Sequence, residues 1–309
     1  LNVEAGDTTE RHFALAIDIG TTTVWMQLLD LAQGEVIGTA ADYNGQIGYG
    51  DDVITRIIYS QKEEGLETLQ RSVVATINQL MHRLLKQYRL SVDEISHITL
   101  AANTTMTHLF YGIDPRYIRL APYTPTASTV PLARAENLGL EVPDHVFVYS
   151  FSSVSSYVGG DIVAGVLASG IYKDPKLTLY IDIGTNGEIV IGNEQWLACA
   201  ACSAGPAFEG GGIRFGMRAT NGAIEEVSIN PETYEPMLLT IGMVKPKGIC
   251  GSGLINALAT MMEAGLVGPN GRFREDLPTP RLRQGAEGWE YVLAYAQDTQ
   301  VGKDITLSE

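Results

Sequence analysis

The sequence predicts an α/β protein made of two halves that begin alike. The segments "ALAIDIGTTTVWMQL", starting at Ala14, and "LYIDIGTNGEIVIG", starting at Leu179, both place Ile-Asp-Ile-Gly-Thr at the end of an apolar run. A chain of 309 residues is also long enough for two domains with cores of their own. We expect a first domain over residues 1–150 and a second over residues 151–309.

The first half reads as three strands followed by alternating helices and strands. The apolar run Phe13–Ile19 ends at a Gly-Thr turn, and every second residue from Val24 to Leu28 is again apolar, which predicts a hairpin. "EVIGTAADY" follows as a third strand. Apolar residues at helical spacing then predict a long helix: Leu66, Leu69, Val73, Ile77, Leu80 and Leu84. "HITLAAN" and "HVFVYSF" read as strands, with a short helix over Thr104–Tyr111 between them.

The second half repeats this opening. A Gly- and Ala-rich helix is predicted from Val158 to Ser169, and a new series of three strands with a tight turn runs from Leu177 to Ala201. Helical spacing returns at Leu254, Leu258 and Met261.

The net charge narrows the range of partners. A formal charge of -15 repels phosphate backbones and anionic lipids, so we expect neither nucleic acid nor a membrane as a partner. No segment has the length of a transmembrane helix, and the first residues lack the features of a signal peptide. A cytoplasmic setting is the expectation.

Two of the three cysteines, Cys199 and Cys202, have the Cys-x-x-Cys spacing of metal and redox sites. No second pair exists to complete a four-ligand site, and the neighbouring residues are small and apolar. We therefore interpret both as packed, reduced thiols.

The repeated turns have the composition of anion-binding loops. Glycine permits close backbone approach, so successive N–H groups can converge on a phosphate. Asp18 and Asp182 cannot sensibly contact phosphate, but they can hold Mg²⁺ or its water ligands. Two facing hairpins of this kind would clamp the phosphates of a nucleotide, and the predicted phosphate-binding residues are Gly20, Thr21, Thr22, Thr23, Gly184, Thr185, Asn186 and Gly187.

These paired motifs resemble those of the acetate and sugar kinase, Hsp70 and actin superfamily. The resemblance implies two duplicated ribonuclease H-like subdomains, mixed sheets flanked by helices, that close over ATP and Mg²⁺. "VGGDIVAGVLASGI", from Val158, is similar to the segment that carries the general base in carbohydrate kinases, which makes Asp161 the third catalytic candidate beside Asp18 and Asp182. The alternative for Asp161 is a helix cap.

Two further glycine-containing segments are candidates for the nucleoside side of the site. Gly210, Gly211 and Gly212 form a loop that lets the backbone approach a ligand, or else merely a tight turn. Gly251 and Ser252 begin a predicted helix, where the N–H groups favour an anion, although an ordinary serine cap fits equally.

Four longer segments, among them "YNGQIGYGDDVITRI" and "AANTTMTHLFYGIDP", resemble the C-terminal ATPase region of the reductive activators of corrinoid proteins. The resemblance implies ATP-dependent, one-electron reduction of an inactive Co(II) corrinoid protein to Co(I) in a methyltransferase system. Those activators carry a [2Fe-2S] cluster, and the four thiolates it needs exceed the three cysteines here. We expect the cluster in a domain absent from this chain, and we expect the nucleotide pocket to be truncated, since no Ala-Gly-Gly turn follows Gly271.

Two other functions stay open on the sequence. A small-molecule kinase would use Asp161 as a base toward an alcohol or carboxylate acceptor. A nucleotide-gated scaffold would assemble as actin-like proteins do. Association into a homodimer is also open.

Overall fold

The computed structural model describes residues 7, 9, 11–184, 186–203, 212–286 and 288–308. Contacts divide the chain into two compact units, which we call unit 1 and unit 2. Unit 1 comprises Leu1–Asp182 with Glu188–Ala201, and unit 2 comprises Ile183–Gly187 with Cys202–Glu309. These units are drawn from contacts rather than from the repeat, so the domain boundary near residue 150 stays a prediction.

Unit 1 begins with strands and helices in the predicted order. Its elements, with the two strands that continue past the unit boundary, are β1 (Phe13–Ile19), β2 (Thr23–Asp30), β3 (Glu35–Tyr43), α1 (Val53–Tyr59), α2 (Gly65–Tyr88), β4 (Ile95–Ala102), α3 (Thr104–Tyr111), β5 (Ala133–Arg134), β6 (Phe147–Ser150), α4 (Gly160–Ser169), β7 (Thr178–Ile183), β8 (Asn186–Asn193) and β9 (Trp196–Ser203).

A six-stranded sheet of order β3-β2-β1-β4-β6-β5 forms the centre of unit 1. β1 pairs antiparallel with β2 and parallel with β4, and β4 pairs parallel with β6. Alternate residues of β1 and β2 are buried beneath α2, whose side chains Leu69, Val73 and Ile77 belong to the same core. Each such aliphatic side chain contributes roughly 1.5–3 kcal/mol when it is buried. The predicted stripe of the long helix is therefore the face that holds the sheet.

The second motif opens a separate sheet of order β7-β8-β9, which repeats the order β1-β2-β3. Helix α4 packs on it, with Ile162, Val190 and Tyr180 in a small core. The repeat predicted from the two Ile-Asp-Ile-Gly-Thr segments is thus seen as two three-stranded series that each start at an aspartate.

Unit 2 contains two further three-stranded sheets and one helix. Its elements are β10 (Ala223–Ile229), β11 (Pro236–Thr240), β12 (Gly248–Ile249), α5 (Gly251–Glu263), β13 (Leu282–Gln284), β14 (Trp289–Ala294) and β15 (Ile305–Ser308). The sheets have the orders β11-β10-β12 and β13-β14-β15. Met261 of α5, Ile224 of β10 and Tyr291 of β14 share one core.

Within the described ranges, no helix combines the length and the apolar character that crossing a lipid bilayer requires.

Candidate functional site

Asp18 lies one residue before the end of the central strand β1. Its neighbours Ile17 and Ile19 are buried, whereas Asp18 is exposed, as the alternation of a strand requires. Asp18 pairs with Trp25 of β2 and with Ala101 of β4. Because β1 and β4 run parallel, their carboxyl ends meet at this edge of the sheet. The edge is where ligands bind in open α/β sheets.

The turn after β1 requires glycine at its first position. The Gly20 N–H donates to the carbonyl oxygen of Thr23 at 2.9 Å, and a Cβ on Gly20 would lie 2.8 Å from that same oxygen. Two asparagines hold the turn from outside. Asn44 Nδ2 donates to the Gly20 carbonyl at 2.9 Å, and Asn103 Nδ2 donates to Thr21 Oγ1 at 3.1 Å.

A buried polar network lies behind this turn. Asn44, Gln46 and Arg56 are fully buried. Gln46 Nε2 donates to the Leu69 carbonyl of α2 at 3.0 Å, and Arg56 Nη1 donates to Gln46 Oε1 at 3.2 Å. Arg56 Nε also donates to the Gly50 carbonyl at 2.9 Å. The segment "YNGQIGYGDDVITRI" thus supplies the support that fixes the first turn, because burying these groups without partners would be costly.

Asp161 lies in the first turn of α4 rather than at its cap. Gly159 occupies the N-cap position and has no side chain to cap with, while Asp161 Oδ1 accepts from the Ile162 N–H at 2.8 Å. A Cβ on Gly159 would lie 2.4 Å from the Asn103 Cα, so glycine is needed for α4 to begin beside the end of β4. The alternative of Asp161 as a plain N-cap is therefore wrong.

Asp182 lies in β7 beside Tyr180, whose hydroxyl donates to Asp182 Oδ2 at 3.5 Å. Gly165 of α4 allows Tyr180 to pack closely, since a Cβ at that position would overlap the tyrosine hydroxyl. The contact between α4 and β7 is what brings Asp161 and Asp182 together.

Glu188 of β8 is a residue that the sequence reasoning missed. It interacts electrostatically with Asp161 and Asp182, and both of these aspartates interact in the same way with Asp18. We call Asp18, Asp161, Asp182 and Glu188 the carboxylate cluster. A signal was present in the second motif, where an acidic residue six positions after Asp182 stands in a segment of otherwise small and apolar residues.

The cluster carries an electrostatic cost. Desolvation raises the pKa of Asp18 to about 7, with the charges of Asp161 and Asp182 adding to the shift, although solvent reaches the side chain. Desolvation and the charge of Asp182 raise the pKa of Asp161 to about 6, against the opposing effect of the Ile162 N–H. Desolvation, followed by the charges of Asp161 and Asp182, raises the pKa of Glu188 to about 7. These carboxyls are therefore held close to one another without a compensating cation.

A divalent cation fits this donor set. Carboxylate oxygens are the ligands that Mg²⁺ prefers, and Mg²⁺ usually keeps several waters. Over the described ranges, no three His, Cys, Asp or Glu side chains converge closely enough to hold a metal ion directly. The arrangement thus suits an ion held through its waters, which is the form in which Asp18 and Asp182 were predicted to hold Mg²⁺.

The remaining predicted residues lie in unit 2. In the turn that follows Asp182, the Gly184 N–H donates to the Asn186 carbonyl at 2.9 Å, and the Gly187 carbonyl accepts from Cys202 Sγ at 3.1 Å. Gly212 has a φ of 76°. Thr185, Gly210 and Gly211 lie outside the described residues.

Gly251 and Ser252 begin α5, as predicted, but Cys250 is the N-cap residue. Ser252 Oγ lies 3.2 Å from Cys250 Sγ, inside the first turn. The interpretation of Ser252 as the cap is therefore wrong, because the helix begins two residues earlier than that interpretation requires.

Cys199 and Cys202 are both exposed, so the expectation of packed thiols is also wrong. They lie three residues apart on β9, and side chains at that spacing point to opposite faces of a strand. The pair therefore lacks the geometry of a shared metal or redox site.

Comparison with known proteins identifies the class and then the family. Residues 176–309 match the family described as "C-terminal domain of RACo the ASKHA domain", which confirms the predicted actin-like ATPase fold. Residues 13–174 match the family described as "RACo middle region". The chain belongs to the RACo family.

Individual relatives agree with this assignment. The chain is 33% identical over 305 residues to the "Corrinoid activation enzyme RamQ" of Eubacterium limosum, a match that covers 96% of this chain and 51% of the relative. It is 23% identical over 297 residues to the "[Co(II) methylated amine-specific corrinoid protein] reductase" of Methanosarcina barkeri, covering 84% of this chain and 54% of that protein.

A solved structure is also similar. The "Reductive activator for corrinoid,iron-sulfur protein" superimposes with a TM-score of 0.84 at 50% identity, over 98% of this chain and 48% of that one. The chain therefore spans about half the length of the relatives that it matches.

Proposed function

We propose that this chain is the ATP-binding and ATP-hydrolysing part of a reductive activator, which drives the one-electron reduction of a Co(II) corrinoid protein to Co(I) in a methyltransferase system. The observation that carries the proposal is the carboxylate cluster beside the glycine turn of β1, in a chain of the RACo family. The names of the relatives, a corrinoid activation enzyme and a Co(II) corrinoid protein reductase, support the choice of partner.

The first phosphate-binding element in this proposal is the turn from Gly20 to Thr23. Its N–H groups and hydroxyls are donors, and Asn44 and Asn103 limit its movement. The second is the turn from Gly184 to Gly187. Asp18 and Asp182 hold Mg²⁺ through water, and the ion neutralises charge that develops on the transferred phosphoryl group.

Asp161 and Glu188 are the candidates for orienting the attacking water and accepting its proton. A general base works best when its pKa is close to the working pH, and burial raises both pKa values in that direction. For the nucleoside side we propose Gly210–Gly212, Gly251 and Ser252.

ATP affects electron transfer only if it binds one state of the activator more tightly than another. Hydrolysis at the carboxylate cluster removes that preference and resets the protein. The electron itself comes from a [2Fe-2S] cluster outside residues 1–309, because three cysteines cannot supply four thiolates. The charge of -15 disfavours nucleic acid and anionic lipid as partners and fits a cytoplasmic protein.

The test measures ATP hydrolysis and the cobalt spectrum together. The chain is mixed with a Co(II) corrinoid protein and a one-electron chemical reductant, with and without Mg-ATP. We expect the partner to accelerate hydrolysis, and the Co(I) absorption to grow only when ATP is present. ATP consumption that requires a sugar or carboxylate acceptor, with no cobalt change, would favour the kinase alternative. Nucleotide-dependent sedimentation of large assemblies would favour the scaffold.

A further inference from the structure

A cavity of about 610 Å³ lies in unit 2, on one face of the sheet β13-β14-β15. Its volume is in the range of small-molecule sites. Arg283 of β13 and Glu290 of β14 are directly opposed on neighbouring strands, and Thr306 of β15 also lines the cavity. The neighbouring pair Leu282 and Tyr291 points to the core on the other face. The cavity has no residue in common with the carboxylate cluster, all of which belongs to unit 1.

Glu290 anchors the charged groups of this cavity. Its side chain is only 8% exposed. Glu290 Oε1 accepts from Arg283 Nε at 2.9 Å, and Glu290 Oε2 accepts from Arg214 Nη1 at 3.1 Å and from Thr306 Oγ1 at 3.2 Å. Gly285 leaves room for this carboxyl, because a Cβ there would lie 2.9 Å from the Glu290 Cδ. A buried carboxylate with these partners fixes the position of two guanidinium groups.

The charge that remains at the cavity is positive. Three cationic side chains line it, Arg214, Arg283 and Lys303, together with two carboxylates, Glu290 and Asp304. Arg283 Nη1 lies 2.8 Å from Asp304 Oδ2, so the bonds to the two carboxylates use two of its three nitrogens and leave Nη2 for other acceptors. An excess of positive charge at one cavity contrasts with the charge of -15 on the whole chain. Such a local field attracts small anions.

We propose that this cavity binds a small molecule through an oxyanion group, a carboxylate or a phosphate. Arg283 and Lys303 contact the oxyanion, and Phe215 and Ala296 of the cavity wall contact the apolar remainder of the ligand. Fixed guanidinium groups suit planar or tetrahedral oxyanions because their donors form a rigid fork. The proposal does not depend on ATP binding.

The test titrates the chain with inorganic phosphate in one arm and with acetate in the other, at constant ionic strength, by calorimetry. Lys303→Gln removes one positive charge without touching the bonds of Glu290, since Lys303 is exposed at the rim. Lys303→Arg retains the charge. The matched control is Arg274→Gln, which removes a charge of the same sign from an exposed ion pair with Asp276 elsewhere in unit 2.

We expect saturable binding of at least one oxyanion, about tenfold weaker in Lys303→Gln, which is the size of one lost charge-assisted hydrogen bond. Lys303→Arg and Arg274→Gln should stay within about twofold of the parent. Equal thermal midpoints for the three variants exclude misfolding as the cause. The proposal is overturned if neither oxyanion binds saturably, if Lys303→Gln binds like the parent, or if Arg274→Gln loses as much as Lys303→Gln. Phosphate that binds only at the glycine turns gives the second of these results.

Discussion

The two copies of Ile-Asp-Ile-Gly-Thr begin with the same residues and differ in what surrounds them. In the first copy, the position six residues after the aspartate is Val24, which is fully buried in the sheet core. In the second copy the same position is Glu188, a half-buried carboxyl whose pKa is raised by burial and by two neighbouring aspartates. The comparison teaches that the repeat supplies a shared scaffold while the acid–base chemistry is concentrated in the second copy.

Support for the turns also differs. The first turn is held by Asn44 and Asn103, and Asn44 in turn belongs to a buried network that reaches α1 and α2. In the second, the printed contact outside the turn is a thiol of an exposed cysteine, Cys202, that donates to Gly187. We infer that the first copy is the rigid one.

The largest effect is expected from making the first copy resemble the second. Val24→Glu places a carboxylate at a fully buried position that has no cation beside it in the sheet core. Burial of an unpaired charge should cost roughly 4 kcal/mol or more, enough to unfold most of the chain, as measured by thermal denaturation followed by circular dichroism. The control Gln27→Glu, on the same strand but off the buried face, should fold normally. A stable Val24→Glu variant would mean that the copies are interchangeable.

A smaller loss is expected from removing the support of the first turn. Asn44→Ala deletes the bond to the Gly20 carbonyl and the bond from the Gln46 N–H, and it leaves both groups buried. The free energy of unfolding should fall by about 2–3 kcal/mol in chemical denaturation. Cys202→Ala removes the corresponding contact of the second turn and should change it by less than about 0.5 kcal/mol. Equal losses in the two variants would contradict the difference in rigidity.

The smallest effect is a gain in stability. Glu188→Gln removes a carboxyl whose folded pKa is about 7 against an ordinary value of 4.5. A raised carboxyl pKa penalises the ionised folded state, so the penalty is absent below pH 4.5, grows between pH 4.5 and 7, and is complete at pH 8. After allowance for solvent screening, the variant should be more stable by about 1 kcal/mol at pH 8 and unchanged at pH 4.5. Unfolding at both pH values measures this, with the exposed Glu194→Gln as control. A gain at pH 4.5, or none at pH 8, would contradict the assigned cause.

Much of unit 1 could be predicted because its elements are long and periodic. β1 to β4 and α2 follow from apolar spacing alone, and the buried faces agree with it. α1 was missed because its seven residues include a buried arginine, Arg56, which hides the apolar face of the helix. A charge at such a position becomes intelligible only once Gln46 and the Gly50 carbonyl are seen beside it.

The candidate site was predicted in part for a similar reason. Asp18, Asp161 and Asp182 stand in recognisable motifs, and the structure brings their charges together. Asn44 and Asn103 could not be predicted as supports of the first turn, because they lie 24 and 82 residues from the groups they bind. Contacts over such separations depend on the tertiary fold, which local patterns do not encode.

The most direct test of the central claim is the affinity for Mg-ATP, measured by calorimetry on the parent chain and on Asp18→Asn. The substitution keeps the shape of the side chain and removes the charge proposed to hold Mg²⁺, so we predict at least about a hundredfold loss of affinity. Asp144→Asn, an exposed aspartate near Arg134, is the matched control and should bind like the parent. Equal affinity in the parent and in Asp18→Asn would contradict the assignment of the carboxylate cluster as the nucleotide site.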